Sequence, residues 1–265
     1  MNENERIGEV KAWWNETSDS DWYKSLRTEE QINRLRKNPS SAFHPAVYEL
    51  IRKYLPDLEN RRILLPSSGD NHVAFALAVM GARVTSADIS ERQLENAAGI
   101  AKQLHLDIEF ICDDTMKLSR IPDSAFDLVY TSNGTLSWID DLDGMYRNFC
   151  RVLKPGGYAV LYDMHPFSRP FSGEAFKEPK IVKSYQDVFP DLHWRIQDIV
   201  NSQVKAGLSV CEMAELPALD ASFWFSYAEL QEKNQAELEG INDWQKNPLA
   251  ALPAWLALVS KKTAG

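Results

Sequence analysis

No apolar run in this 265-residue chain reaches the roughly 18 residues that cross a bilayer, which excludes a membrane-spanning protein. The chain begins MNENERIGEVKAWWNE, polar and acidic where a secretory signal needs a basic start and an apolar stretch, so the expected location is the cytoplasm. Cysteine is scarce. Cys112, Cys150 and Cys211 are odd in number, far apart and never in a C-x-x-C pair, which excludes a disulfide framework and a zinc knuckle and leaves them as buried small hydrophobes. His44, His105 and His193 show no spacing of a metal site, so no metal is expected. Positive charge is also short: 29 Lys and Arg stand against 38 Asp and Glu, a formal charge of −9. A surface of that sign repels phosphate backbones, so nucleic acid is not an expected partner. The nearest basic cluster, Arg27, Arg34, Arg36 and Lys37, is interrupted by Glu29 and Glu30 and reads as a solvated helix face. Repeats of solenoid period and low-complexity tracts are missing as well.

What is present is enough apolar residue, 44%, for a sizeable core, arranged from residue 62 onward as short β-rich runs alternating with helical segments. Strands are expected at Arg62–Leu65, Arg83–Ala87, Ile108–Cys112, Phe126–Thr131 and Tyr158–Met164. Between the first two, an apolar helix runs from Asn71 to Met80 and stops at Gly81. Ser90 reads as the N-cap of the next helix, with Gln93 completing a capping box, and Leu94, Ala97, Ala98, Ala101 and Leu104 form the stripe that faces the sheet. A helix from Leu142 to Leu153 ends where Lys154-Pro155-Gly156-Gly157 forbids continuation. Four strand–helix–strand steps in about 100 residues make a doubly wound α/β fold. After Met164 the rhythm breaks into a Pro-, Gly- and Ser-rich insertion up to Asp191, with one strand at Ile181–Tyr185. A helix at 194–206 and strands at Ser209–Leu216 and Ala254–Ser260 follow, and the first 60 residues read as helices outside the sheet.

Ligands of such sheets bind beyond the carboxyl ends of the strands, near the point where strand order reverses. Four turns therefore matter: Pro66–Asn71, the end of the second strand at Asp88, Asp113–Thr115, and Ser132–Gly134. Small residues in ILLPSSGDNH let backbone approach a ligand at a helix N-terminus. Asp88 sits about 20 residues on, where a carboxylate accepts hydrogen bonds from both hydroxyls of a ribose and disfavours a 2′-phosphate.

These segments resemble the class I S-adenosylmethionine-dependent methyltransferases. The stretch RILLPSSGDNHVAFALAVMGARVTSADIS is similar to that family's first two motifs, IEFICDDTMKLSRIPDSAFDLVYTSNG to its third-strand acidic motif and fourth strand, and RVLKPGGYAVLYD to its turn and fifth strand. The resemblance implies a Rossmann-like, doubly wound seven-stranded sheet, six strands parallel and the last, Ala254–Ser260, antiparallel. Its parts would be an N-terminal helical cap at 1–60, a cofactor-binding α/β core at 61–164, an insertion over the acceptor at 165–191, and completion of the core at 192–265.

Residue by residue, the resemblance places Ser67, Ser68, Gly69 and Asn71 at the methionine end of S-adenosyl-L-methionine, and Asp88 on its ribose. Ile89 would pack on the adenine, Asp114 would sit beside the adenine amino group with Asp113 and Thr115 adjacent, and Ser132, Asn133 and Gly134 would lie under the sulfonium. Ser67 and Asn71 replace two of the family's usual glycines, and Leu65 replaces its usual acid near the cofactor's amino group. A nicotinamide-binding protein would instead carry G-x-G-x-x-G, which this chain lacks.

The implied reaction is in-line methyl transfer to a small-molecule acceptor, and the alternative is a protein that binds the cofactor without transferring its methyl. His165, directly after the fifth strand, is the candidate general base or a residue that positions the turn. Trp13, Trp14, Trp22 and Tyr23 cluster near the N-terminus as helix anchors or as a lid ordered by ligand, with Tyr23 the expected contact. Trp138, Phe167, Phe171 and Trp224 are candidates to line an acceptor pocket or to pack the insertion.

Overall fold

The computed structural model describes residues 3–172, 178–189 and 192–263. Four helices come first: α1 (Glu3–Thr17), α2 (Asp21–Leu26), α3 (Glu29–Lys37) and α4 (Pro45–Tyr54). The alternating region follows as β1 (Arg62–Pro66), α5 (His72–Val79), β2 (Arg83–Asp88), α6 (Glu91–Leu104), β3 (Ile108–Cys112), β4 (Phe126–Thr131), α7 (Leu142–Val152) and β5 (Leu153–Met164). The rest contributes α8 (Ile196–Lys205), β6 (Leu208–Leu216), α9 (Tyr227–Glu232), α10 (Gln235–Leu238) and β7 (Trp255–Lys262). The seven strands form one sheet in the order β3-β2-β1-β4-β5-β7-β6. The pairs β1–β2, β2–β3, β1–β4 and β4–β5 are parallel, whereas β7 runs antiparallel to both β5 and β6. The single antiparallel strand is thus the last in sequence but lies between β5 and β6. Strand order reverses between β1 and β4, so the crevice at their carboxyl ends is where the fold offers a ligand site.

Local chemistry accounts for where the helices begin. The side chains of Thr28, His44, Asn71, Ser90 and Asp141 each accept a backbone N–H in the first turn of α3, α4, α5, α6 and α7. Core packing then fixes each face. Helix α5 is apolar all round because it is covered on two sides, by the sheet and by residues 32–58 of the N-terminal region. Ile32, Leu35, Phe43, Val47 and Ile51 share one buried cluster with β1, β4 and α5. The opposite face of the sheet packs Leu118, Met145, Tyr146, Phe149, Ile199 and Leu208.

Several sequence expectations change in detail. In α6 the buried stripe takes Ile100 and leaves Ala98 exposed. Lys154–Gly157 does more than end α7: it bulges within β5, whose register jumps from Phe126↔Leu153 to Leu128↔Tyr158. Gly156 takes φ +79 there, and a Cβ on Gly157 would come within 3.0–3.2 Å of three backbone carbonyl oxygens. The strand expected at Ile181–Tyr185 reduces to one bridge, Phe171↔Ile181, because Ile181 and Val182 stay exposed and have no core to face. The cysteines are not buried hydrophobes: Cys112 and Cys150 are half-buried and Cys211 is exposed on β6. No helix among the described residues is long and apolar enough to cross a membrane.

Candidate active site

The turn between β1 and α5 is stitched to the rest of the sheet end by the very residues that stand where glycines were expected. Ser67 takes φ 49, a left-handed conformation that costs a residue with a Cβ, and its Oγ meets Thr115 Oγ1 of the loop after β3 at 2.6 Å. Ser68 Oγ is 2.5 Å from Ser86 Oγ on β2. Asn71 stays at φ −59, caps α5, and donates through Nδ2 to Ser132 Oγ after β4 at 2.6 Å. Small polar side chains thus trade glycine's freedom for cross-links between loops. Gly69 does need glycine: its φ is +49, and a Cβ would fall 2.4 Å from Gln93 Oε1. That oxygen instead accepts the Asp70 N–H, so the reciprocal half of the capping box expected from Gln93 is not made.

Asp88 holds this turn to the next. Oδ2 accepts the Gly69 N–H and Oδ1 the Ser90 N–H, both at 2.8 Å. Burial pushes its carboxyl up to about 6, against those N–H donors, which favour the ionised form. Holding it ionised at neutral pH therefore costs about 3 kcal/mol, and each oxygen keeps a further lone pair for a donor from a ligand. Asp113 and Asp114 part company. Asp113 is consumed by its own loop, accepting from Asp114 N, Ser119 Oγ and Arg120 N. Asp114 accepts the Met116 N–H on Oδ1, while its buried Oδ2 has no hydrogen-bond partner; Lys117 Nζ, 3.9 Å away, is beyond that reach. Burial raises the Asp114 carboxyl too.

These turns enclose a cavity of about 340 Å³ lined by Ser67–His72, Asp88, Ile89, Gln93, Thr115, Met116, Ser132–Thr135, Trp138 and Ile139. The N-terminal helices close it with Arg6, Ile7, Val10, Trp14, Trp22, Tyr23 and Leu26. Trp138 packs between the caps of the aromatic cluster, 4.8 Å from Trp13 and 5.3 Å from Trp14 between ring centroids. Burial raises the Tyr23 hydroxyl above its ordinary range. The α1–α2 segment is tied down at several points. Asn15 Oδ1 accepts from Ser90 Oγ and Arg92 N, Arg92 pairs with Asp19, and Lys11 pairs with Glu91.

Arg27, read from the sequence as part of a solvated helix face, is instead largely buried and bridges cap to turn. Its Nε donates to Asp70 Oδ2 and its Nη2 to the Ser18 carbonyl. The signal for it was Asp70, a carboxylate inside a turn with no nearby cation in sequence. His72 Nε2 meets the Leu26 carbonyl at 2.9 Å, so its ring also joins α2 to α5.

Of the expected site residues, Ser67, Ser68, Gly69, Asn71, Asp88, Ile89, Thr115, Ser132, Asn133, Gly134, Tyr23 and Trp138 line this cavity, and Asp113, Asp114, His165 and Phe167 do not. The His165 ring is fully buried: Nδ1 accepts the Phe167 N–H and Nε2 lies 3.0 Å from Glu215 Oε1 on β6. Desolvation lowers its pKa, with Glu215 opposing. Phe167 is 39% exposed and stacks between His165 and Tyr185. Asp163, which sequence reasoning missed, is what shapes the loop after β4. Its buried carboxylate accepts N–H groups from Gly134 and Leu136 at 2.8 Å and from Met164 at 2.7 Å. Among the described residues no group of His, Cys, Asp or Glu could hold a metal ion.

A doubly wound sheet with an acidic crevice at its reversal point is the arrangement in which such sheets bind ligands. Residues 64–161 match the family described as a methyltransferase domain. A 125-residue stretch is 32% identical to an S-adenosyl-L-methionine-dependent Diels-Alderase of Talaromyces variabilis, covering 46% of this chain and 42% of that protein. The ubiquinone biosynthesis O-methyltransferase of Coxiella burnetii is 29% identical over 122 residues, 46% of this chain and 51% of that one. The chain therefore spans about half or less of the length of these curated relatives. Magnesium protoporphyrin IX methyltransferase from Synechocystis PCC 6803 shares the fold, with TM-score 0.61 and 15% identity over 97% of this chain and 100% of that chain. The segment 64–161 is thus similar to a methyltransferase domain, and the chain has the fold of S-adenosylmethionine-dependent methyltransferases.

Proposed function

We propose that this chain transfers the methyl group of S-adenosylmethionine to a small-molecule acceptor. The observation that carries the proposal is the convergence of the turns after β1, β2, β3 and β4 on one cavity that the N-terminal aromatics close. The residues fit the cofactor's polar groups. Asp88 offers lone pairs to the ribose hydroxyls. Directly behind the wall formed by Thr115 and Met116, Asp114 Oδ2 is buried and without a hydrogen bond, an acceptor of the kind an adenine amino group needs. Ile89 and Met116 supply apolar walls for the ring. Gly69, whose Cβ position is already filled, gives the close backbone approach that the methionine end requires, with Ser67, Ser68 and Asn71 around it. Ser132–Gly134, shaped by Asp163, line the sulfonium end. Small-molecule methylation is supported by the likeness to an enzyme of ubiquinone biosynthesis.

When bound, S-adenosylmethionine supplies a methyl already activated on cationic sulfur, so alignment rather than bond polarisation is the protein's main task. Asp88 and the oxygen-rich Ser132 and Thr135 make the crevice suited to a cation. The cap excludes water through Trp14, Trp22, Tyr23 and Trp138, and Arg27 latches it to the cofactor turn through Asp70. His165 positions the turn after β5 and does not act as the base, since both its ring nitrogens are engaged and its ring is fully buried.

A second reading keeps the cofactor but not the transfer; the likeness to a cofactor-dependent Diels-Alderase favours it. Calorimetry with S-adenosylhomocysteine, followed by incubation of methyl-labelled cofactor with a metabolite extract, tests both. Binding with label incorporated into small molecules is the expected result. Binding without any incorporation supports the second reading, and absence of binding overturns both.

A further inference from the structure

A second cavity, of about 280 Å³, lies beyond the carboxyl end of β5, walled by Met164, Arg169, Phe171, Phe223, Trp224 and Leu252. Its size is near the lower end of small-molecule pockets, and its walls are mostly aromatic and aliphatic. Among the described residues that line it, Arg169 alone carries charge. Burial of that guanidinium lowers its pKa, while an arginine stays charged at any physiological pH. A guanidinium has five N–H donors, and among the described residues the side chain makes one hydrogen bond, from Nη2 to Ser137 Oγ at 2.6 Å. Asp163 acts on it electrostatically, but its oxygens are already taken by the N–H groups of Gly134, Leu136 and Met164. A half-buried guanidinium with unspent donors on the wall of a largely apolar cavity is suited to an anion that completes it.

One hydrogen bond links the two cavities. Ser137 belongs to the 3₁₀ turn Leu136–Trp138, which lines the first cavity through Trp138 and touches the second through Arg169. The loop just before that turn, Ser132–Thr135, also lines the first cavity, at its sulfonium end. Arg169 therefore connects the second cavity to the turn that borders the methyl-donor site.

We propose that the second cavity receives the anionic end of the methyl acceptor, whose other end reaches the first cavity, and that Arg169 selects an acceptor carrying a carboxylate or phosphate on an aromatic or aliphatic frame. The inference rests on the methyl-transfer reading above. The anion is held at Arg169 and the methylated atom is a different one, so the product keeps its negative charge.

The test titrates the full chain, saturated with S-adenosylhomocysteine, with 2-naphthoate, 2-naphthyl phosphate and neutral 2-naphthol. One equivalent of naphthoate or naphthyl phosphate binds, whichever is tighter naming the anion, and 2-naphthol binds at least about tenfold more weakly. Arg169→Gln removes that preference while leaving S-adenosylhomocysteine affinity unchanged, and Leu252→Trp, which fills the cavity without touching charge, removes binding of all three probes. Equal binding of neutral and anionic probes, or an unaltered preference in Arg169→Gln, overturns the proposal; should that variant not fold, undiminished anion binding in Leu252→Trp does so instead. Methyl label from an extract is expected in the fraction retained on anion-exchange resin, and label confined to neutral or cationic products also overturns it. Failure of the underlying reading is separate: it shows as absent S-adenosylhomocysteine binding in the parent chain, whatever the naphthyl probes do.

Discussion

The cavity over β1–β4 and the cavity beyond β5 are built from different materials. The first is walled by short turns that hydrogen-bond to one another, Ser67 to Thr115, Asn71 to Ser132, Asp88 to Gly69 and Ser90. The second is walled by side chains from the insertion and from the segment between β6 and β7, with one hydrogen bond joining it to the first. A backbone-built site is fixed by the fold and suits a constant ligand. A site made of side chains on long connections can change its ligand without changing the sheet.

The largest effect should come from Asp163, which holds the loop after β4. Asp163→Ala leaves three buried N–H groups without an acceptor, and thermal melting should fall by about 10 °C, reflecting a loss of roughly 3 kcal/mol or more. A shift of only a degree or two would mean that the loop after β4 is held by other contacts.

Within the first region, Asp88→Ala should weaken S-adenosylhomocysteine by about 1–3 kcal/mol, measured by calorimetry, through lost hydrogen bonds to the ribose. Undiminished affinity would place the ribose elsewhere. Arg27→Ala unlatches the cap and leaves Asp70 buried without its cation. Cofactor affinity should drop roughly tenfold, and hydrogen exchange across residues 3–27 should rise while residues 32–58, which share the sheet's core, stay protected. Equal exchange in variant and parent would make the cap a fixed element independent of Arg27.

The smallest effect on cofactor binding belongs to the far side. His165→Ala should lower stability by about 1–2 kcal/mol through loss of its contacts to Phe167 N–H and Glu215, yet leave S-adenosylhomocysteine affinity and the pH profile of turnover in place. A folded variant that loses a pH dependence near neutrality would restore the base role.

The same contrast explains how much was legible in the amino-acid sequence. Strands β1 to β5 and helices α5 to α7 follow from local runs and caps, since Ser90 and Asn71 act on backbone two or three residues away. The turns that line the first cavity were legible because the sheet carries them to one end whatever their side chains do. Arg27 was not, because its partner Asp70 is 43 residues distant. Nor was the self-capping of Asp113, which looks in sequence like the equal of Asp114 and differs only in the donors at Ser119 and Arg120 that fold back on it. Of the aromatics considered for an acceptor pocket, Phe171 and Trp224 line the second cavity and Phe167 lines neither, a division set by the path of the insertion rather than by residue type.

The most direct test of the account is a calorimetric titration of S-adenosylhomocysteine against pH in the parent chain and in Asp88→Asn. In the free protein Asp88 keeps its proton up to about pH 6, so its contribution to stability is present in acid and lost as pH rises through that value. Donors from the ribose favour the ionised form and pull its pKa down, so affinity should climb by up to about tenfold per pH unit below 6 and level off above it. The predicted result is one molecule bound per chain with that profile in the parent and a flat, weaker profile in Asp88→Asn. Absence of binding, or the same pH profile in both proteins, would contradict the account.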